Sequence, residues 1–305
     1  MQREISADFP FDLKRTRVHD AEMAYVDVGE GDPIVFLHGN PTSSYTWRNV
    51  IPHVQPLGQC LAPDLIGMGE SSPSPTYSYK FADHANYLDA WFDQLNLRKK
   101  VILVVQDWGA ALGFDRAVRF PDSVSGIVYM EAMVRPRLWT DMPPKRQAMF
   151  KRLRGEEGER MCLEDNFFVE KMLFEYGVIR ELTSREKEVY LKPFREPGVS
   201  RLPTLVWPRQ IPFDGDPPDT YARVKRYSDW LTQSVHLPKL FINAEEGHGT
   251  AGAAREFCRA WPNQREISLR AKHYLPEDCP HEIGEAVARF VTEVRGGAWI
   301  APTAW

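Results

Sequence analysis

The sequence predicts an α/β protein built on a mostly parallel β-sheet flanked by helices. Two observations lead there. Short apolar runs alternate along the chain with amphipathic stretches of helical length, and residues suited to chemistry stand just past the ends of such runs: His38, Asn40, Asp64, Asp107, Glu131 and His273. In a parallel sheet covered on both faces, ligands sit at the carboxyl ends of the strands, so the second observation places function where the first places the sheet edge.

In chain order, residues 23–28 form the first apolar run and 34–37 the next, which ends on the glycine turn His38-Gly39-Asn40-Pro41. Asp64-Leu65-Ile66-Gly67-Met68-Gly69-Glu70-Ser71 follows a further strand; Gly67 and Gly69 are read as tight-loop residues, because a lone G-x-G without supporting context does not make a dinucleotide site. A helix is expected over 81–97, a strand over 101–105, a helix over 110–120 and a strand over 127–130. The alternation then lapses between Arg135 and Pro212, where charged and aromatic residues mix in helical patterns. Pro136, Pro143 and Pro144 open this stretch, and Pro203, Pro208 and Pro212 close it. Residues 135–212 are therefore read as a helical cap inserted over the strand ends, with 1–134 and 213–305 as the core. Strands over 239–243 and 266–269 and a helix over 283–294 complete the core, and the tail 296–305 is unusually apolar for a terminus.

At 305 residues, with 43% hydrophobic and 26% charged residues, the composition is that of an ordinary globular protein long enough to bury a substantial core. A formal charge of −4 and the absence of a Lys/Arg stripe argue against nucleic acid; Lys145-Arg146 and the basic residues of 151–154 read as a solvated helix face. The expected partner is a small, uncharged molecule, and the oligomeric state stays open. Cysteines at 60, 162, 258 and 279 contain no C-x-x-C pair, so neither a zinc site nor a disulfide framework is indicated, and no metal or organic cofactor is expected. Residues 1–5 lack the apolar stretch of a signal peptide and no run is long enough to span a bilayer, from which a cytoplasmic protein is expected.

The most informative segment is Val105-Gln106-Asp107-Trp108-Gly109. A buried strand that turns abruptly into a helix is the setting of a nucleophile elbow, and here the side chain pushed out above the sheet is an aspartate. No G-x-S-x-G occurs in the chain. A carboxylate can displace a leaving group from saturated carbon, forming an alkyl ester that water must then cleave with the help of a base and oxyanion donors. Taken alone, the pentapeptide fits a helix N-cap aspartate equally well.

Its company decides. H-G-N-P, then D-L-I-G-M-G-E-S, then V-Q-D-W-G and finally His273 in Ala271-Lys272-His273-Tyr274 resemble the α/β-hydrolase superfamily, in its order of nucleophile before histidine. More narrowly the chain resembles the haloalkane dehalogenases, and it is also similar to the Renilla-type luciferases that share their scaffold. Segments carrying the resemblance run from Met23-Ala24-Tyr25 through Trp47-Arg48-Asn49, Tyr129-Met130-Glu131-Ala132, residues 165–170 and residues 203–209 to residues 239–245 and Glu277-Asp278. The resemblance implies an α/β-hydrolase fold with Asp107 as nucleophile, His273 as base, Glu131 as the acid that orients it, and Asn40 with Trp108 as the halide-binding pair. Glu245 and Glu246 stand where many relatives place their acid, but Glu131 fits its motif better. An apolar substrate chamber is expected, with Phe168, Trp207, Pro208 and Ile211 nominated from the cap, Tyr274 beside the base, and Phe150. The implied reaction is hydrolytic dehalogenation of small halogenated aliphatics to alcohol, halide and proton through an aspartyl ester.

The chain departs from the pattern behind Asp107 and at three places where tunnel and pocket shape are expected to be set. Gln106 replaces a common histidine, residues 173–178 replace a shorter proline-containing turn, residues 246–250 replace a more apolar segment, and Tyr274 adds a hydroxyl where phenylalanine is usual. Two other activities share parts of the constellation: oxidation of a coelenterazine-type luciferin by dioxygen, and epoxide hydrolysis. The latter would employ cap tyrosines such as Tyr176 and Tyr190 and is disfavoured by Asn40 and Glu131.

Overall fold

The computed structural model describes residues 4–301. Eight strands, β1 (Leu13–Val18), β2 (Ala21–Val28), β3 (Pro33–Leu37), β4 (Gln59–Pro63), β5 (Val101–Gln106), β6 (Val124–Met130), β7 (Lys239–Ala244) and β8 (Gln264–Leu269), form one sheet in the order β1-β2-β4-β3-β5-β6-β7-β8. From β4 onward every neighbouring pair is parallel; β1–β2 and β2–β4 are antiparallel. Strand β1, Leu-Lys-Arg-Thr-Arg-Val, carries no apolar run, since it lies at the sheet edge with most of its side chains in water. It forms because the chain reverses at His19-Asp20 and pairs Val18 with Ala21 through to Leu13 with Val26.

The period-two alternation of each central strand sorts its side chains onto two faces. Val35, Leu37, Leu103, Val105, Ile127 and Tyr129 point to one face. There they meet α1 (Phe81–Gln94), α2 (Trp108–Arg119) and, later in the chain, the helix Pro218–Gln233. Ile34, Phe36, Ile102, Val104, Val128 and Met130 point to the other, against the helical turn Ile51–Val54 and the helix Pro280–Arg295. Each of these strand residues is fully buried. Burying a side chain of this kind stabilises by roughly 1.5–3 kcal/mol, which is why the central strands are apolar on both faces. Among the described residues, no helix is long and apolar enough to cross a membrane. The tail at 302–305 lies outside the described residues.

Between β6 and the helix Pro218–Gln233 the chain is helical: α3 (Pro144–Arg154), wide π-helical turns at Arg160–Glu164 and Phe168–Tyr176, α4 (Ser184–Leu191) and α5 (Leu202–Arg209). Met142, Phe150, Leu153, Met161, Cys162, Phe168, Met172, Leu205 and Phe213 close an apolar cluster of their own within this stretch. Its two ends meet, because the amide of Asp214 donates to the carbonyl of Arg137 at 2.9 Å.

A buried ionic knot ties this stretch to the core. Arg48, after β3, contacts Glu277 at 2.6 and 2.9 Å and Glu186 of α4 at 2.6 Å, with all three side chains fully buried. Arg180 joins both carboxylates, and the Tyr190 hydroxyl donates to Glu277. Burial pushes the Glu186 carboxyl up, but the donors on Arg180 and Thr183 outweigh it and hold it at about 2. Removing one partner of such a knot leaves a buried charge unpaired. Arg48→Met is expected to lower the unfolding free energy by about 3–5 kcal/mol, read as a shift of the urea midpoint at unchanged slope; a change below about 1 kcal/mol would show that the knot contributes little net stability.

Candidate active site

Asp107 sits between β5 and α2 with φ +53° and ψ −125°, a conformation that L residues rarely adopt. The bend lifts its carboxylate clear of the sheet. It is possible because two neighbours lack a side chain: a Cβ on Gly39 would lie 2.2 Å from Asp107 Oδ1, and one on Gly109 would lie 2.3 Å from the carbonyl oxygen of Leu37. The amide of Asn40 donates to Asp107 Oδ1 at 2.9 Å, while Oδ2 lies 3.4 Å from His273 Nε2. One carboxylate oxygen is thus held by the main chain and the other faces the imidazole.

His273 follows β8, with Nδ1 2.8 Å from Glu131 Oε2. Glu131 follows β6 with φ +45° and accepts three main-chain N–H groups, from His248 at 2.8 Å, Gly249 at 2.6 Å and Thr250 at 3.2 Å. Burial alone would raise this carboxyl, but His273 and the surrounding donors outweigh it and hold it far below the usual carboxylate range. These contacts favour the ionised form of Glu131. Glu245 and Glu246, the other acids considered from sequence, are exposed, and Glu246 lies 3.6 Å from Arg270. His273 is also buried, which disfavours its charged form, yet Asp107 and Glu131 on either side raise it to about 9.

Around this triad lies a pocket of about 680 Å³, partly continuous with solvent. Asn40, Trp108, Phe150, Phe168, Pro208, Ile211 and Tyr274 all stand in its wall, together with Met133, Met142 and Met172. Trp207 does not. It is fully buried and stacks on Trp108 at 4.4 Å, with the His84 ring on its far side at 4.2 Å. Its place in the lining was misread because the indole is used as a backing plate that holds the Trp108 ring. The chamber is also less apolar than expected, since Arg137, Arg146 and His248 belong to its wall. Arg146 is missed from sequence because it lies in a basic stretch that resembles a solvated helix face, nothing local marks Arg137, and His248 stands in the altered segment 246–250 without a pattern that singles it out.

The departures acquire positions. Gln106 is fully buried and donates from Nε2 to the carbonyl of His273 at 2.9 Å, bracing the main chain behind the imidazole. The Tyr274 hydroxyl donates to the carbonyl of Asn40 at 2.9 Å, and its amide donates to Gly177 in the altered segment. His248 stacks on His273 with ring centroids 4.5 Å apart, and burial next to His273 lowers it well below the usual histidine range. Tyr176 and Tyr190, which epoxide opening would require, line no part of the pocket: Tyr176 is about half exposed and Tyr190 is committed to Glu277. Gly67 and Gly69 have positive φ in a loop held by Asp64, whose oxygens accept the amides of Ser44 and Glu70. Ligand atoms of Glu131, His248 and His273 lie within 4.8 Å of one another, but both Glu131 oxygens already accept N–H donors.

Comparison with known proteins agrees with this geometry. A family model for the alpha/beta hydrolase fold matches residues 32–284. A haloalkane dehalogenase of Sphingobium indicum is 49% identical over 290 residues, covering 94% of this chain and 97% of that protein. A coelenterazine h 2-monooxygenase of Renilla reniformis is 41% identical over 284 residues, covering 92% and 91% respectively. The crystal structure of a haloalkane dehalogenase from Bradyrhizobium elkani superposes with a TM-score of 0.89 at 38% identity, covering 94% of this chain and 99% of that one. With an aspartate at the elbow, a histidine against it and a buried glutamate behind, the chain belongs to the haloalkane dehalogenase family of α/β hydrolases.

Proposed function

We propose that this protein hydrolyses carbon–halogen bonds of small halogenated aliphatics, giving alcohol, halide and a proton, with residues 135–212 acting as a cap over the chamber. The observation that carries the reading is the relation of Asp107 to His273, with a free carboxylate oxygen 3.4 Å from a ring nitrogen inside a largely apolar pocket. In the first step Asp107 Oδ2 attacks the halogen-bearing carbon, a C–O bond forms as the carbon–halogen bond breaks, and halide leaves toward the side-chain NH₂ of Asn40 and the Trp108 indole. Both are neutral donors, able to stabilise the departing anion without the countercharge that would trap it. In the second step water attacks the ester carbonyl while His273 Nε2 takes its proton. The developing oxyanion falls on Oδ1, which already accepts the Asn40 amide. Collapse of that intermediate frees the alcohol and restores Asp107.

Glu131 holds the histidine ring in the tautomer that leaves Nε2 facing Asp107 and stabilises the imidazolium that forms. Glu131→Gln keeps the shape but can offer His273 an amide N–H in place of an acceptor. The expected loss of kcat is roughly 10²–10⁴-fold with folding retained; less than about threefold would remove Glu131 from the mechanism. The four cysteines are unpaired, which supports a reducing, cytoplasmic setting.

The test is halide release from 1,2-dibromoethane and 1-bromobutane by purified protein. Release supports the reading, and its absence with both substrates removes it. A second reading, oxidation of a coelenterazine-type luciferin, is favoured by the Renilla relative at 41% identity. Light emission with coelenterazine in the absence of halide release would select it.

A further inference from the structure

Two guanidinium groups stand where a haloalkane has no need of charge. Arg137 and Arg146 line the catalytic pocket, and both also line a second cavity, with Met142 and His248 common to the two. Burial lowers both arginines, Arg146 to about 10, and Arg137 adds to that lowering of Arg146, so at neutral pH two positive charges share a partly water-excluded wall. Arg137 donates one N–H to the carbonyl of Gly249. The Arg146 side chain makes no hydrogen bond or ion pair with any described residue.

Asp107, Glu131 and Asp141 act on Arg137 through space, and Glu131 on Arg146, but no carboxylate among the described residues forms an ion pair with either guanidinium. Glu131 is held by His273 and three main-chain amides, and Asp141 accepts Arg135 at 2.9 Å and the Leu138 amide at 2.9 Å. Like charges in a partly desolvated wall repel, and an anion placed between them relieves that repulsion while satisfying the free donors. Met133, Met142 and Met172 line the same pocket and supply an adaptable apolar wall suited to an alkyl chain.

We infer that Arg137 and Arg146 form a subsite for a carboxylate at the far end of the substrate, so that the protein takes ω-halogenated alkanoates with the halogen-bearing carbon at Asp107. The inference rests on the hydrolysis proposed above and deepens it. The chemistry is unchanged: the carbon–halogen bond breaks as the aspartyl ester forms, and water releases an ω-hydroxyalkanoate, halide and a proton while the carboxylate tail keeps its charge. Without the arginines that tail would be repelled by Asp107 and Glu131. The near-neutral whole chain concealed this, because the local field of a cleft, not net charge, selects a ligand.

The test separates recognition from turnover. Calorimetry measures binding of hexanoate and of hexan-1-ol, neither of which can react, to wild type, Arg146→Leu and Arg146→Lys. Hexanoate is expected to bind wild type tighter than hexan-1-ol, to weaken with added salt, to lose about 10–100-fold in affinity in Arg146→Leu, and to regain part of it in Arg146→Lys. In turnover, the ratio of kcat/KM for 6-bromohexanoate to that for 1-bromohexane should fall by a similar factor in Arg146→Leu. Hexanoate binding no tighter than hexan-1-ol, or an equal loss on both bromides as for a halide exit path, overturns the inference and leaves the hydrolysis reading intact. Halide release from neither bromide removes hydrolysis, while the hexanoate measurement still decides the anion subsite.

Discussion

Asp107→Ala is expected to abolish halide release, a loss of at least about 10⁴-fold in kcat, the scale seen when a covalent nucleophile is removed. Every other group at the site acts on a bond that Asp107 makes. The Asn40 amide holds its Oδ1, His273 faces its Oδ2, and Trp108, next in sequence, is positioned by the same turn. The folded state should survive, because alanine meets the same φ of +53° that aspartate already adopts and the room left by Gly39 and Gly109 is unchanged. Unchanged circular dichroism with no halide release, and no mass increase after exposure to 1-bromobutane, is the expected pair of observations. Residual release within about tenfold of wild type would mean that carbon–halogen cleavage does not pass through this carboxylate.

His273→Phe separates the two chemical steps. Attack by Asp107 needs no proton transfer, so alkylation should continue, whereas ester hydrolysis loses its base. One equivalent of halide per protein, released as a burst, followed by turnover slowed by about 10³-fold or more, is expected. Mass spectrometry should find the alkyl group on the peptide containing Asp107; a variant that releases no halide and carries no adduct would count against the two-step scheme.

Electrostatics order these steps in the intact protein. In the resting enzyme His273 is raised to about 9 by Asp107 and Glu131 against the opposing effect of burial, so it holds a proton at neutral pH. Esterification removes the Asp107 charge. Burial then weighs against one carboxylate instead of two, and the imidazole is driven toward the neutral form that can act as a base. The breakdown of the alkyl-enzyme is therefore expected to follow a group titrating below the pH at which the free enzyme's histidine does, measurable by comparing the pH dependence of single-turnover ester hydrolysis with an NMR titration of free His273.

Much of the site was legible in the chain because a strand end is a local signal. A run of apolar residues followed by a glycine, a carboxylate or a histidine marks the carboxyl edge of the sheet, and Asn40, Asp107, Glu131 and His273 each announce themselves that way. Strand β1 does not, because at an edge only pairing with β2 makes it a strand, and its charged residues resemble a loop. Trp207 shows the converse limit. Its segment carried the family resemblance, yet whether a buried indole lines a cavity or backs another ring depends on what packs against it from distant parts of the chain.

By itself, then, the sequence determined the layered sheet, the aspartate at the elbow and the residue types brought to the strand ends, since these follow from periodicity and short-range sterics. Only the tertiary structure decided that His273 contacts Glu131 and not Glu245 or Glu246, that Gln106 braces the histidine's main chain, and that Arg137 and Arg146 turn inward to the pocket wall. The reason is physical. Which side chains share a buried space, and which charge is left there without a partner, is settled by packing between segments more than a hundred residues apart, and no local pattern encodes it.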